Sequence, residues 1–593
     1  MTTIVNLTAV ILVLLVIMFI YFGIWFKRMV TSSDDFLLAG RKAPFWLLAS
    51  AYLGGTVGGA SVSGYTGLGL SGGIGQMWSS LFLVGGTTIF VVLFARRLNY
   101  FGRKTGAVTI CDFACARYGE ALRLPIAIVS FLRPGFLTGM QFLAIALALN
   151  VVIGISIHIG VIVSAAIILL YMITGGQYSA MVNQLIQGLL QSLGILLFAL
   201  ASFKFLGNPT EVYMTMKETL PASFLSVWEI DFSLFTVWLL TLGVFYLIDP
   251  WGYMWAYVGQ TPRVSSNAQL AILGGSYYNV LPFLSGMAIA AGGVTGIFIL
   301  PQGLSSDAFY AWFATNHLPL GIGVLILVGL FMTIISCGSS FAMNGVTIIT
   351  RDIYQKVINK NATQKQMLIA SRLSVVIVVI LGIASALWLP ILVPLWTLAQ
   401  ALVVSGLLAT ILCAWFWPRS TKQGAMASTI LGGGAALAWA MYAWITQGNP
   451  GAIINGLHAV HIGLIISIPA MIIVSLLTKP DYEAAKVTNF KVLGEEMKAN
   501  NIDPAIKPGF FGWLGAHKTY EKAFWICVFS AFILHYLLAF IFHIEFAGVL
   551  MVWISVLAGI LMLVLLGVLG FKDIFGLVKS YKESEKLSVY NQE

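Results

Sequence analysis

Apolar stretches long enough to cross a bilayer recur along almost the whole chain, and no other feature of the sequence restricts its fold as strongly. A span needs about 20 mostly apolar residues. Runs of this kind fall at roughly 4–26, 44–70, 74–97, 124–150, 155–174, 180–205, 232–259, 270–296, 320–350, 366–391, 393–417, 423–446, 456–478, 522–543 and 546–571. They predict an all-α, polytopic membrane protein of about fifteen transmembrane helices. Only 9% of the residues are charged and 59% are hydrophobic, where a soluble domain carries about 25% charged residues. Such a chain cannot cover itself with polar surface in water, so its solvent is lipid. The formal net charge of +10 does not indicate nucleic acid. Its lysines and arginines cluster in short loops, as the positive-inside rule expects. Cys111, Cys115, Cys337, Cys413 and Cys527 show no paired pattern, so neither a disulfide framework nor a zinc site is indicated.

Charge also orients the chain. The first run has no basic residue before it and is followed by Lys27 and Arg28, which predicts an outside N-terminus and a cytoplasmic C-terminus in the plasma membrane. The loops 27–43, 98–123, 351–365, 418–422 and 479–521 then fall in the cytoplasm and hold the Lys and Arg clusters. The opposite loops 297–319 and 447–455 hold none. The loop 479–521 is the only sizeable polar segment between helices and is too short for an enzymatic domain.

Two runs are poor regular helices. The second contains "LGGTVGGASVSG", with Gly54, Gly55, Gly58 and Gly59, and the seventh contains Asp249-Pro250-Trp251-Gly252. Glycine costs about 1 kcal/mol and proline about 3 in a helix interior. The interruptions lie five segments apart. Interrupted spans at matching positions in two halves are the mark of an inverted-repeat transporter with its site at the midplane. Segments 2–6 and 7–11 would be a five-plus-five core with broken first and sixth core helices. The expected division is an extra helix and loop (1–43), a first repeat (44–205), a second repeat (206–417), peripheral helices (418–478), a cytoplasmic loop (479–521) and C-terminal helices with a tail (522–593). Small residues serving close helix packing are the competing explanation of the glycines.

Five stretches in order resemble the sodium:solute symporter family: "DDFLLAGRKAPFW" from Asp34, "TICDFACARYG" from Thr109, "YMITGGQYSAMVNQLIQG" from Tyr171, "ISCGSSFAMNGVTIITRDIY" from Ile335 and "RSTKQGAMASTILGGG" from Arg419. The resemblance implies a leucine-transporter-type core and alternating access. It also implies a sodium site built from Gly54 and Val57 of the first core helix with Thr333, Ser336 and Cys337 of the eighth. Hard cations take oxygen ligands, and Cys337 stands where the family usually has Ser or Thr. The family's common Thr-Asp in the fifth core helix is also changed, to Asn183-Gln184. Sodium is the favoured coupling ion, with a proton or no ion as the alternative.

Arg133 and Asp249 are the ionisable residues deepest in the runs. A central charge of either kind costs about 2.5–3.5 kcal/mol, so such residues face a cavity or each other. Arg133 could clamp a solute carboxylate, with Asp249 meeting an amine or a proton. Alternatively the two form an ion pair that only holds helices together. Thr56, Ser61, Gln76, Ser80 and Trp251 complete the candidate solute site, Trp251 because it adjoins the break. No role is assigned to His158, His317, His458 or His461. No nucleophile–base pair and no metal-ligand spacing points to an enzyme. The sequence therefore predicts a secondary active transporter importing a small organic solute, favoured to bear a carboxylate or to be zwitterionic. A sugar or polyol symporter and a transporter-like membrane sensor are the alternatives. Its other partner is membrane lipid; nucleic acid is excluded, and no protein partner is indicated.

Overall fold

The structure, a computed structural model, describes residues 2–26, 30, 32–502 and 509–590. The basic pair Lys27 and Arg28 lies outside the described residues, as does the stretch 503–508 of the long loop. Among the described residues the architecture is helical, with isolated bridges but no strand. Twelve of the helices are long and apolar enough to cross a membrane, so the expected count of about fifteen is not met by that measure. Three expected crossings account for the difference. The run 44–70 is broken, the run 155–174 is a shorter apolar helix (157–170), and the run 270–296 is carried by Ser276–Val294.

The helices used below are α1 (Thr2–Phe26), α2 (Phe45–Thr56), α3 (Tyr65–Gly72), α4 (Trp78–Phe90), α5 (Arg123–Ile153), α6 (Ile157–Lys204), α7 (Pro250–Val258), α8 (Ser276–Val294), α9 (Leu320–Thr347), α10 (Gln364–Trp388), α11 (Leu392–Phe416), α12 (Lys422–Gln447), α13 (Ala459–Leu477), α14 (Thr519–Phe540) and α15 (Glu545–Tyr590). α6 is two helices meeting at Gly176, whose φ of 57° and ψ of −155° leave the helical region. A side chain there would stand 2.8 Å from the Phe36 carbonyl oxygen, so both the conformation and the close approach call for glycine.

Both predicted interruptions are present, and each has a local cause. α2 stops at Thr56, and Val57 is extended at φ −86°, ψ 120°. The chain then resumes through a wide turn at Ala60–Gly64 into α3. In the second interruption the turns of Val244–Ile248 end at Asp249, which is extended at φ −61°, ψ 114°. Pro250 is then the first residue of a new helix, where its missing N–H is no loss. Asp249 caps that helix, accepting a hydrogen bond from the Trp251 N–H at 2.9 Å. The Asp-Pro pair is thus a helix start inside the protein rather than a flaw in a continuous helix.

The core forms where α6, α9, α5, α2 and α11 pack together, with α8 against α3. At one end of the bundle Arg123 pairs with Asp112 at 2.9 Å and with Asp352 at 2.7 Å, and Arg351 reaches Asp112 at 3.2 Å. These two arginines, with the N–H of Val108, hold the Asp112 carboxyl below its ordinary range against the upward push of burial. The long loop docks at the same end. The Arg97 guanidinium lies 3.7 Å over the Phe490 ring, and Lys104 pairs with Glu496 at 2.8 Å. Pro44, preceding α2, has no side-chain cap to offer. Instead Asp573 of α15 accepts hydrogen bonds from the N–H groups of Trp46 at 2.7 Å and Leu47 at 3.2 Å.

Candidate functional site

Between the two breaks lies a small cavity of about 20 Å³, lined by Thr56, Gly58, Ser61, Arg133, Met140, Gln141, Tyr246, Trp251, Cys337, Phe341 and Trp396. A space of this size admits about one water, so its walls must part to receive an organic solute. Four sequence-predicted solute residues line it: Thr56, Ser61, Arg133 and Trp251. Asp249 stands directly behind Arg133.

Arg133 projects from α5 beside Pro134, and its Nη1 lies 3.0 Å from Asp249 Oδ1, each side chain 1% exposed. Aromatic faces box the guanidinium, with its carbon 4.9 Å from the Phe245 ring centre, 4.8 Å from Phe341 and 6.0 Å from Trp251. Such faces carry negative potential and favour a cation. Removing one member of a buried pair leaves an uncompensated charge, at a cost of about 3–5 kcal/mol. Arg133 Nε and Asp249 Oδ2 have no hydrogen-bond partner, so the pair retains capacity for further polar contacts.

Trp251 is held on three sides. Its ring stacks on Tyr52 with centroids 4.7 Å apart and meets Phe341 edge-on at 5.8 Å, and its Nε1 donates to Ser340 Oγ at 3.0 Å. Thr56 Oγ1 donates to the Tyr52 carbonyl at 2.6 Å, a bond that turns its hydroxyl back along α2. Besides Asp249, two predicted solute residues do not line this cavity. Ser80 is buried between α14 and α8, where its hydroxyl meets Tyr536 Oη at 2.5 Å and accepts from Asn279 at 2.9 Å. The Gln76 side chain lies against Gly72. Gln76 lies in the tight turns at Gly73–Met77 and Ser80 at the start of α4, and those turns set both apart from the break.

Gln141 is a site residue that the sequence reading passed over. It lies two turns after Arg133 on α5, and its Oε1 accepts the Gly59 N–H at 2.9 Å, so it holds the α2–α3 break from the side. Its Nε2 has no partner. A side chain at Gly58 would stand 2.6 Å from Cys337 Sγ and 2.9 Å from Gln141 Oε1, so only glycine fits there. The available signal was a lone amide in the apolar run "FLTGMQFLAIA".

The residues expected to hold sodium divide. Ser336 Oγ donates to the Gly54 carbonyl at 2.9 Å across the α2–α9 contact, and Thr333, one turn earlier, donates to the Gly329 carbonyl at 2.8 Å. Val57 is extended at the break. These groups supply hard oxygens, as sodium requires. Cys337 lines the solute cavity and offers a soft sulfur instead of an oxygen. Among the described residues no group of His, Cys, Asp and Glu could hold a metal by itself.

At the far edge of α3, Ser306 packs against Gly67. Its neighbour Asp307 accepts the N–H of Leu392, the first residue of α11, and burial pushes its carboxyl up to about 6. The turn Ser306–Ala308 therefore ties the second half of the broken helix to the helix that carries Trp396.

The sodium:solute symporter family model matches residues 36–432. A sodium/glucose cotransporter of Vibrio parahaemolyticus is 23% identical over 452 residues, which cover 69% of this chain and 80% of that protein. An osmoregulated proline transporter of Bacillus subtilis (strain 168) is 24% identical over 484 residues, covering 78% and 92%. The solved structure of a Na+-coupled sialic acid symporter, in a substrate-bound outward-open state, superposes with a TM-score of 0.67 at 18% identity, covering 80% of this chain and 98% of that one.

Proposed function

The chain belongs to the sodium:solute symporter family, and we propose that its solute is a small carboxylate-bearing or zwitterionic molecule received between Arg133 and Asp249. It is a multi-pass membrane protein with a leucine-transporter-type fold, a sodium-driven secondary transporter of a small organic solute and not an enzyme. The observation that carries the choice of solute is the Arg133–Asp249 pair at the cavity, with Arg133 Nε and Asp249 Oδ2 unpartnered. A zwitterion entering there exchanges one ion pair for two. Its carboxylate takes the guanidinium fork and its ammonium takes the carboxylate, so no charge is left bare. Two of the similar proteins are described as a proline transporter and a sialic acid symporter, and both solutes carry a carboxylate. Trp251 and Gln141 wall the space beside the pair, and the Gln141 amide offers a further donor to the carboxylate.

Alternating access follows from the two breaks. The halves of a helix interrupted at Val57 or at Asp249 can tilt separately, and segments 44–205 and 206–417 would serve as the paired repeats. The absence of Lys and Arg from 297–319 and 447–455, against basic loops at 98–123 and 351–365, supports an outside N-terminus and a cytoplasmic C-terminus in the plasma membrane.

The aromatic box around Arg133 favours one second reading, a pair that only ties α5 to the second break. Uptake by proteoliposomes under a sodium gradient, from a panel of amino acids, organic acids and sugars, separates the two. The solute reading expects an amino acid or organic acid to be taken up, and expects Arg133→Ala to abolish its binding. Restored transport in the Arg133→Ala, Asp249→Ala double variant would leave the pair a purely structural role.

A further inference from the structure

In the second part of helix α6, after the Gly176 kink, Gln184, Gln187 and Gln191 are spaced so that they share one face. All three are 0% exposed, and neither the oxygen nor the nitrogen of any of their amides has a hydrogen-bond partner. Burying an amide without a partner is costly, and a native structure that does so three times in two turns calls for a ligand.

The neighbours of α6 locate that face. α6 and α9 run antiparallel. A side chain at Gly194 would stand 2.8 Å from Gly329 Cα, while nearly three turns back Gln184 meets the Gly54–Ser336 contact, its carbonyl oxygen 2.8 Å from where a Gly54 Cβ would stand. Gln187 and Gln191 lie between these levels, opposite Ser336 and Thr333. Successive residues turn by about 100° around a helix. Gly188 faces α2 at Gly54, and Leu190 and Gly194 face α9 at Gly329. Gln187 and Gln191 fall on the arc between those two lines of contact. They therefore project toward the seam between α2 and α9, where Ser336 meets the Gly54 carbonyl and Thr333 lies one turn away on α9.

We propose that the side-chain oxygens of Gln187 and Gln191 are ligands of the co-transported sodium ion and supply the oxygen that Cys337 lacks. The inference rests on the reading that Gly54, Thr333 and Ser336 hold sodium. Carboxamide oxygens are hard donors suited to an alkali cation. A thiol where a hydroxyl would stand leaves the ion short of a hard oxygen on the α9 side, and α6 provides two without adding charge.

The test uses the purified full-length protein and radiolabelled sodium, read by direct binding and by sodium-dependent thermal stabilisation, with solute uptake measured alongside. Gln187→Leu and Gln191→Leu are each expected to weaken sodium binding about tenfold, the loss of one charge-assisted contact. The solute KM at saturating sodium should move less than about twofold. Cys337→Ser in the Gln187→Leu background should recover most of the lost affinity. Should a leucine variant fail to fold, Gln187→Glu keeps the shape, adds a charge and is expected to tighten sodium. Wild-type sodium affinity in both leucine variants, or no tightening in Gln187→Glu, overturns the inference and leaves the sodium reading standing. Sodium binding that is unchanged in Ser336→Ala overturns that reading and this inference together.

Discussion

Arg133 and Asp249 show what one residue can disclose from sequence. A charge in an apolar run is costly enough to demand a cavity or a partner, so their pairing was one alternative open from sequence, and they meet at 3.0 Å. Gln141, Gln187 and Gln191 are as deeply buried, yet a neutral amide costs less to place in a membrane helix and stands out less. Only the missing partners make these amides conspicuous. Asp307 lies in the loop between α8 and α9, and its burial is not visible in its sequence neighbourhood. Its carboxyl sits near 6 when folded, against about 3.9 unfolded. A raised carboxyl means that the folded state binds the proton more tightly. The stability it contributes is complete below about pH 4 and is lost as pH rises through 6. Asp307→Asn should remove that dependence and gain about 3 kcal/mol over wild type at pH 7.5, read from melting curves at pH 5 and 7.5. A wild type that melts no earlier, relative to the variant, at pH 7.5 than at pH 5 would refute this. Trp251→Phe keeps the stack on Tyr52 and loses the bond to Ser340. It should cost about 1 kcal/mol and weaken solute binding while the protein remains folded, as ligand titration would report.

Among the elements, the two breaks were legible because glycine and proline disfavour helix for reasons of backbone alone. The manner of breaking was less legible. Asp-Pro marks a capped new start, so Pro250 occupies a position where proline is tolerated. Pro250→Ala should therefore change stability by less than about 1 kcal/mol, far below the roughly 3 kcal/mol of a helix-interior position. A large change in melting temperature would mean that the ring itself is a packing element. Gly58 should behave oppositely. Its Cβ would press on Cys337 and Gln141, so Gly58→Ala should cost about 1–3 kcal/mol through overpacking and lower uptake more than surface expression. Polar residues near a break are not thereby near the cavity, and Gln76 and Ser80 lie apart from its lining. Ser80 instead satisfies Tyr536 and Asn279, a pairing 456 residues apart along the chain for Tyr536 that no local pattern announces.

At the scale of the whole molecule, hydropathy patterns were enough to mark most of the spans, because a bilayer tolerates few ways of burying backbone. They could not reveal which distant helix supports which. α15 lies beyond the family-matched stretch 36–432, yet its Asp573 is the acceptor that caps the start of α2. Asp573→Ala should cost about 0.5–2 kcal/mol, as the loss of a helix cap does. It should also raise the reactivity of a cysteine introduced at Thr56 toward a water-soluble maleimide added from the Trp46 side. Unchanged labelling would mean that the bond holds α15 in place without restraining α2. If labelling does rise, tailoring this protein carries a warning. A shortened version cut back to its family core for crystallisation, or one whose last helix is strained by a fused reporter, would start from a different resting position than the intact chain. Its turnover would then describe the edited molecule, and kinetic comparisons with relatives should begin from the chain that keeps α15.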